Sequence, residues 1–181
     1  MLIVGTSLTA GLGLDPEAAY PALLQRLADS ARVAIEIVNA GVSGETSAGA
    51  RRRIGWLLRQ HVDALVLETG ANDGLRGLDI DSTRANLRAI VGEVKRAQPG
   101  ARVLLVQMEA PPNLGSRYTR DFHAMFEQVA RSEQIILLPF LLRDVAGRAG
   151  LNQADGIHPN EAGSKVVAET LWPRLEVALR R

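Results

Sequence analysis

Five short apolar runs recur along the chain, separated by stretches whose apolar residues repeat with a helical period. The runs are Met1-Leu2-Ile3-Val4, Val33 to Val38, Ala64-Leu65-Val66-Leu67, Val103-Leu104-Leu105-Val106 and Ile135 to Leu138. An aliphatic run such as the first, bounded by Gly5, suits a strand with both faces covered. The second is rich in β-branched residues and ends at Asn39-Ala40-Gly41. Between the runs, Tyr20, Leu23, Leu24 and Leu27 fall at the spacing of an amphipathic helix, after the turn chemistry of Asp15-Pro16. Ser47 to His61 continues the pattern with Ile54, Leu57 and Leu58 inward. Leu87, Ile90, Val91 and Val94 mark a helix stopped by Pro99-Gly100, and Phe122, Met125, Phe126 and Val129 stripe the next. Asn160 can cap a last helix with Val166, Val167, Thr170 and Leu171 facing the core.

Strands alternating with helices imply βαβ units with right-handed crossovers. The expected fold class is therefore α/β: a flavodoxin-like, three-layer α/β/α sandwich around a five-stranded parallel sheet, one domain over residues 1–181. A hydrophobic fraction of 46% suffices for its core, and no repeat, linker or low-complexity segment interrupts it.

Charge narrows the partners. With 21 basic and 20 acidic residues the net charge is +1, so no strong field recommends nucleic acid or an acidic membrane. The absence of cysteine excludes disulfides, thiolate metal sites and a cysteine nucleophile. No apolar run reaches the roughly 18–20 residues of a membrane span, so stable membrane insertion is not expected. No signal-peptide pattern precedes the first strand. The expectation is a soluble protein, cytoplasmic, or periplasmic or secreted after loss of a leader that this sequence does not carry.

In such sheets ligands bind at the carboxyl ends of the strands, so function belongs to the loops there. The first holds Ser7 among small residues, Gly5-Thr6-Ser7-Leu8-Thr9-Ala10-Gly11. The second, Gly41-Val42-Ser43-Gly44, has glycines that leave backbone N–H groups free to approach a ligand. The third, Gly70-Ala71-Asn72-Asp73-Gly74, puts an amide just past a strand end. In the fourth, Asp155-Gly156-Ile157-His158-Pro159, a carboxylate and an imidazole three residues apart can hydrogen-bond in a tight turn. Taken singly, each is a common capping or turn motif. Together they supply what acyl transfer needs. Ser7 can attack a carbonyl, His158 can take its proton and Asp155 can hold the ring. The Ser7 and Gly44 amides with the Asn72 side chain can stabilise the developing oxyanion.

These four blocks resemble those of the SGNH (GDSL-type) hydrolases, most closely the bacterial arylesterase, acyl-CoA thioesterase and lysophospholipase branch. The resemblance spans essentially the whole chain in the expected order. It implies Ser7 as nucleophile, Ser7, Gly44 and Asn72 as oxyanion hole, Asp155 and His158 completing the triad, and neither metal nor organic cofactor. One position departs: the family usually has Asp before the serine, and this chain has Thr6. A hydroxyl orders neighbouring loops less strongly than a carboxylate. The departure bears on activity level and loop order more than on reaction type.

Leu75, Leu78, Pro111, Pro112, Leu114 and Tyr118 follow the third and fourth strands and are expected to line an acyl or aryl groove. The expected substrates are short- to medium-chain acyl or aryl esters, with thioesters and lysophospholipids by resemblance. The competing functions are a carbohydrate acetylesterase and a catalytically impaired binding module. Gly11-Leu12-Gly13 lacks the third glycine of a dinucleotide loop, since Pro16 stands there. Arg51-Arg52-Arg53 is expected to be a solvated face, Trp56 and Trp172 packing residues, and His61 and His123 solvated or capping residues.

Overall fold

The computed structural model describes residues 1–180. In chain order the main elements are β1 (Leu2–Gly5), α1 (Ser7–Ala10), α2 (Tyr20–Ser30), β2 (Val38–Gly41), α3 (Ser47–Leu57), β3 (Ala64–Leu67), α4 (Ala71–Leu75), α5 (Ile80–Ala97), β4 (Arg102–Val106), α6 (Ser116–Ser132), β5 (Ile136–Leu138) and α7 (Glu161–Arg180). The five strands form one parallel sheet in the order β2-β1-β3-β4-β5. The chain thus steps outward from β1 to β2 and then crosses back to β3, making the β1/β3 boundary a topological switch point. Right-handed crossovers place α2 on one face and the next helices on the other. Consistent with this, α2 packs on α7, while α3, α5 and α6 pack side by side.

β1 and β3 are buried along their whole length, as continuous aliphatic strands between two helical layers must be. The helical stripes turn Leu24, Leu87, Ile90, Phe122, Phe126 and Leu171 fully inward. Asn160 caps α7 by accepting the Gly163 N–H at 3.0 Å. Among the described residues no helix is long and apolar enough to cross a membrane.

The second strand differs from expectation: it covers Val38–Gly41 rather than Val33 to Val38. The Gln25 side chain explains why. Its amide donates to the Ile35 carbonyl at 2.9 Å and its oxygen accepts the Ile37 N–H at 2.8 Å, satisfying groups that a ladder would otherwise pair. The Met1 amine takes the Glu36 carbonyl, and Val33 N–H closes back on Ala28 past the left-handed Arg32. Helix α3 likewise ends at Leu57 rather than at His61. Trp56 is not a packing residue but 68% exposed, whereas Trp172 does pack against the core. Arg53 leaves the expected solvated face: its guanidinium pairs with the nearly buried Glu45 at 2.7 Å and donates to the Ala40 carbonyl.

Candidate active site

Ser7 opens α1 two residues after β1 ends at Gly5, and Thr6 between them caps the turn in extended conformation. Gly11 ends it at φ +73°, a left-handed value that glycine adopts without cost. Only 9% of Ser7 is exposed, and its hydroxyl lies 2.8 Å from Nε2 of His158, 151 residues away in sequence. On the other side of the ring, His158 Nδ1 is 2.6 Å from Asp155 Oδ2. Asp155 Oδ1 accepts the backbone N–H groups of Ile157 and His158 at 2.9 and 3.0 Å, an Asx turn that fixes the imidazole's backbone. These amides, His158's first, and then the imidazole hold the Asp155 carboxyl at about 2, so it stays ionised at any working pH. Gln153 ties this loop to the first: its amide donates to the Leu12 carbonyl at 2.7 Å and to the Pro159 carbonyl at 2.9 Å.

Ser7, Gly44, Asn72 and His158 line one cavity of about 330 Å³ at the switch point. Glu45 N–H bonds the Val42 carbonyl, closing a turn in which Gly44 has φ +76°. Asn72 donates one amide hydrogen to the Glu45 carbonyl at 2.9 Å, which orients the side chain and leaves the second hydrogen available. Among the described residues the Ser7 and Gly44 N–H groups have no protein acceptor. The remaining wall is mostly apolar, with Leu12, Leu75, Met108, Phe140, Leu142 and Ile157, interrupted by Thr6, Ser43 and Glu109.

Of the residues expected to line an acyl groove, only Leu75 lines the Ser7 cavity. Leu78, Leu114 and Tyr118 line a separate groove of about 610 Å³ that shares no residue with the Ser7 cavity. Pro111 and Pro112 line neither. The cause is packing at the α4 end: the Tyr118 hydroxyl donates to the Leu78 carbonyl at 2.6 Å and its ring stacks on Phe122, which draws these residues away from Ser7. Met108, Phe140, Leu142 and Ile157 went unnoticed. Each lies in or beside a loop after a strand or next to His158, and that position was the available signal. His61 and His123 are exposed and bond Asp63 at 3.0 Å and Glu109 at 2.6 Å.

Two buried carboxylates also escaped the sequence. Asp73 accepts the N–H and hydroxyl of Ser47 at 2.8 and 2.6 Å, tying the start of α3 to α4 beside Asn72. Glu68, fully buried at the end of β3, accepts the Thr6 N–H and the Thr9 hydroxyl, both at 2.8 Å. The carboxylate near Thr6 is thus supplied from β3 rather than from the residue before the serine. Burial raises the Glu68 carboxyl from 4.5 to about 7, with hydrogen bonds from Thr6 and Thr9 opposing. Between those values the folded chain holds a proton that the unfolded chain releases. Stability should therefore fall as pH rises from 4.5 to about 7 and level off above. Glu68→Gln is expected to melt several degrees above the parent at about pH 8 and level with it at about pH 4.5, read by calorimetry.

Comparison with known proteins agrees with this geometry. Residues 3–166 match the model of the GDSL-like Lipase/Acylhydrolase family. The chain is 44% identical to "Esterase TesA" of Pseudomonas aeruginosa over 181 residues, covering 99% of this chain and 89% of that protein. It is 39% identical to "Thioesterase 1/protease 1/lysophospholipase L1" of Escherichia coli K12, covering 97% of this chain and 83% of the other. Its fold superposes with a TM-score of 0.94 on the psychrotrophic esterase EstA from Pseudoalteromonas sp., solved inhibited by monoethylphosphonate, at 35% identity with 99% and 98% of the two chains covered. Family match, full-length relatives and a shared fold agree with the loop chemistry at the sheet's edge, and the chain belongs to the GDSL-like lipase/acylhydrolase family of carboxylic ester hydrolases.

Proposed function

We propose that the chain is a serine esterase acting through an acyl-enzyme on Ser7, with residues 1–181 forming one catalytic domain that meets its substrate from aqueous solution. Ser7 Oγ attacks the ester carbonyl while His158 Nε2 takes its proton. Asp155 holds the ring in the tautomer that leaves Nε2 free to accept and stabilises the imidazolium that results. Negative charge collects on the carbonyl oxygen, and the Ser7 and Gly44 N–H groups with the free Asn72 amide hydrogen receive it. The alcohol leaves with the proton from His158, and water repeats the sequence to release the acid. The observation that carries this reading is the unbroken contact from Ser7 Oγ to Nε2 at 2.8 Å and from Nδ1 to Asp155 at 2.6 Å.

The cavity supports the substrate class. Its volume of about 330 Å³ stands at the small end of ligand pockets, and most of its exposed wall is apolar. Short- to medium-chain acyl groups fit such a space, and a polar sugar would set several of its hydroxyls against apolar side chains there. Thioesters and lysophospholipids belong to the proposed range because a relative is named for them. A fluorophosphonate is expected to label Ser7 alone, located by peptide mapping. A panel of p-nitrophenyl esters from acetate upward should show kcat/KM rising to a short or medium chain and then falling. Labelling elsewhere, or hydrolysis with Ser7 unlabelled, would overturn the assignment.

A further inference from the structure

Behind Ser7 lies a polar cluster that the proton relay does not use. Glu68 Oε2 accepts the Thr6 N–H and the Thr9 hydroxyl, and the Thr6 hydroxyl lies 3.1 Å from both carboxylate oxygens. The Thr9 hydroxyl in turn meets the Tyr20 hydroxyl at 2.7 Å. Thr6 and Thr9 bracket Ser7, one as the cap of α1 and the other as its third residue. Oε2 therefore grips both ends of the turn that carries the nucleophile. The fit is tight, since a Cβ at Gly5 would stand 1.9 Å from Thr9 Oγ1 and 2.6 Å from Oε2.

What faces Glu68 is neutral. The Thr6 N–H comes from the cap of α1, hydroxyls from the α1 turn, and a phenol from α2 whose own proton burial holds more firmly still. On the α3 side, Arg53 is engaged by Glu45 and the Ala40 carbonyl, and it approaches this cluster through the Gly5 carbonyl, at 3.5 Å. A buried carboxylate without a counter-charge costs stability, and an apolar residue of that size would avoid the cost. Its charged oxygens, however, hold N–H and O–H donors about twice as firmly as a neutral acceptor does.

We propose that Glu68 is a positioning residue for Ser7: its anionic carboxylate, acting through Thr6 N–H and the Thr9 hydroxyl, fixes the turn that aims Oγ at His158 and the Ser7 N–H at the oxyanion. The proposal rests on Ser7 being the nucleophile. Because burial brings the Glu68 carboxyl to about 7, acid adds a loosening of the turn to the loss that any general-base mechanism suffers. The acid limb of log(kcat/KM) is then steeper than one proton allows.

The test compares wild type with Glu68→Gln, which keeps shape and removes charge. We expect kcat for p-nitrophenyl butyrate to fall about tenfold, with KM changed by less than about twofold. The fluorophosphonate labelling rate should fall in step, and the acid limb should relax to a slope of about one. Values of kcat and labelling within about twofold of wild type, with an unchanged limb, would overturn the proposal. If Glu68→Gln fails to fold, Thr9→Val decides. It removes one donor to the carboxylate, so kcat should drop about threefold and the acid limb should move to higher pH. A stationary limb there would also overturn it. Wild type that the probe does not label would strike at Ser7 as nucleophile, not at Glu68.

Discussion

Ser7→Ala should lower kcat for p-nitrophenyl butyrate by on the order of 10⁴-fold or more while leaving the melting temperature within about 2 °C of wild type. The substitution removes one oxygen from a residue only 9% exposed, and no apolar contact goes with it. The partner it abandons does not depend on it: His158 keeps Asp155 on Nδ1 and on its backbone N–H, and Gln153 keeps the loop on Leu12. The rest of the site therefore stands. What is lost is the atom proposed to form the acyl bond, and members of a catalytic relay act as a unit, so the remaining groups should rescue little. The residual rate should come from the oxyanion donors acting on attacking water. Circular dichroism melts and initial rates on the purified variant, with labelling of any contaminating wild type, measure both halves. A variant keeping more than about a tenth of the activity would mean that another nucleophile exists.

The four loops were legible in the sequence for a physical reason. Each follows an apolar run, and a parallel sheet brings all such loops to one edge, so residues 151 apart could be assigned to one place. Positions that depend on a single unforeseen partner were not legible. Gln25 substitutes its side chain for a ladder and delays β2, and nothing local to Val33–Val38 announces it. Tyr118 and Phe122 stack and draw Leu78 and Leu114 to another groove. Glu68 reaches Thr6 across 62 positions and Asp73 reaches Ser47 across 26, and a lone carboxylate after an apolar strand does not name its donors. The hint was there in Leu67-Glu68-Thr69, where a charge ends a run too apolar to be solvated.

Gly41 shows the same divide between motif and cause, and it makes the second strong expectation. From the sequence its place in Gly41-Val42-Ser43-Gly44 suggested a backbone left free for a ligand; in the fold it is the seat of α1. It ends β2 opposite Gly5, and a Cβ there would stand 2.2 Å from the Ala10 nitrogen, 2.7 Å from the Ala10 Cα and 2.7 Å from the Thr9 carbonyl carbon. All three are backbone atoms, so no rotamer change relieves the clash. The helix is also pinned from elsewhere, by Glu68 on Thr9 and by the Asn39 amide on the Thr9 carbonyl at 2.8 Å. Gly41→Ala must therefore either displace α1, with Ser7 at its start, or break the edge of the sheet. Overpacking of this kind costs roughly 3 kcal/mol or more, which for a chain of this size is a melting temperature lower by about 10 °C. A shift of about 1 Å in the nucleophile adds a loss of about 10²-fold in kcat in whatever remains folded. Gly92→Ala supplies the contrast: it lies inside α5 with nothing within 4 Å of an added Cβ, and helix propensity alone should raise stability by up to about 1 kcal/mol. If Gly41→Ala melted and turned over like Gly92→Ala, the close seat of α1 on β2 would not be what holds Ser7 in place.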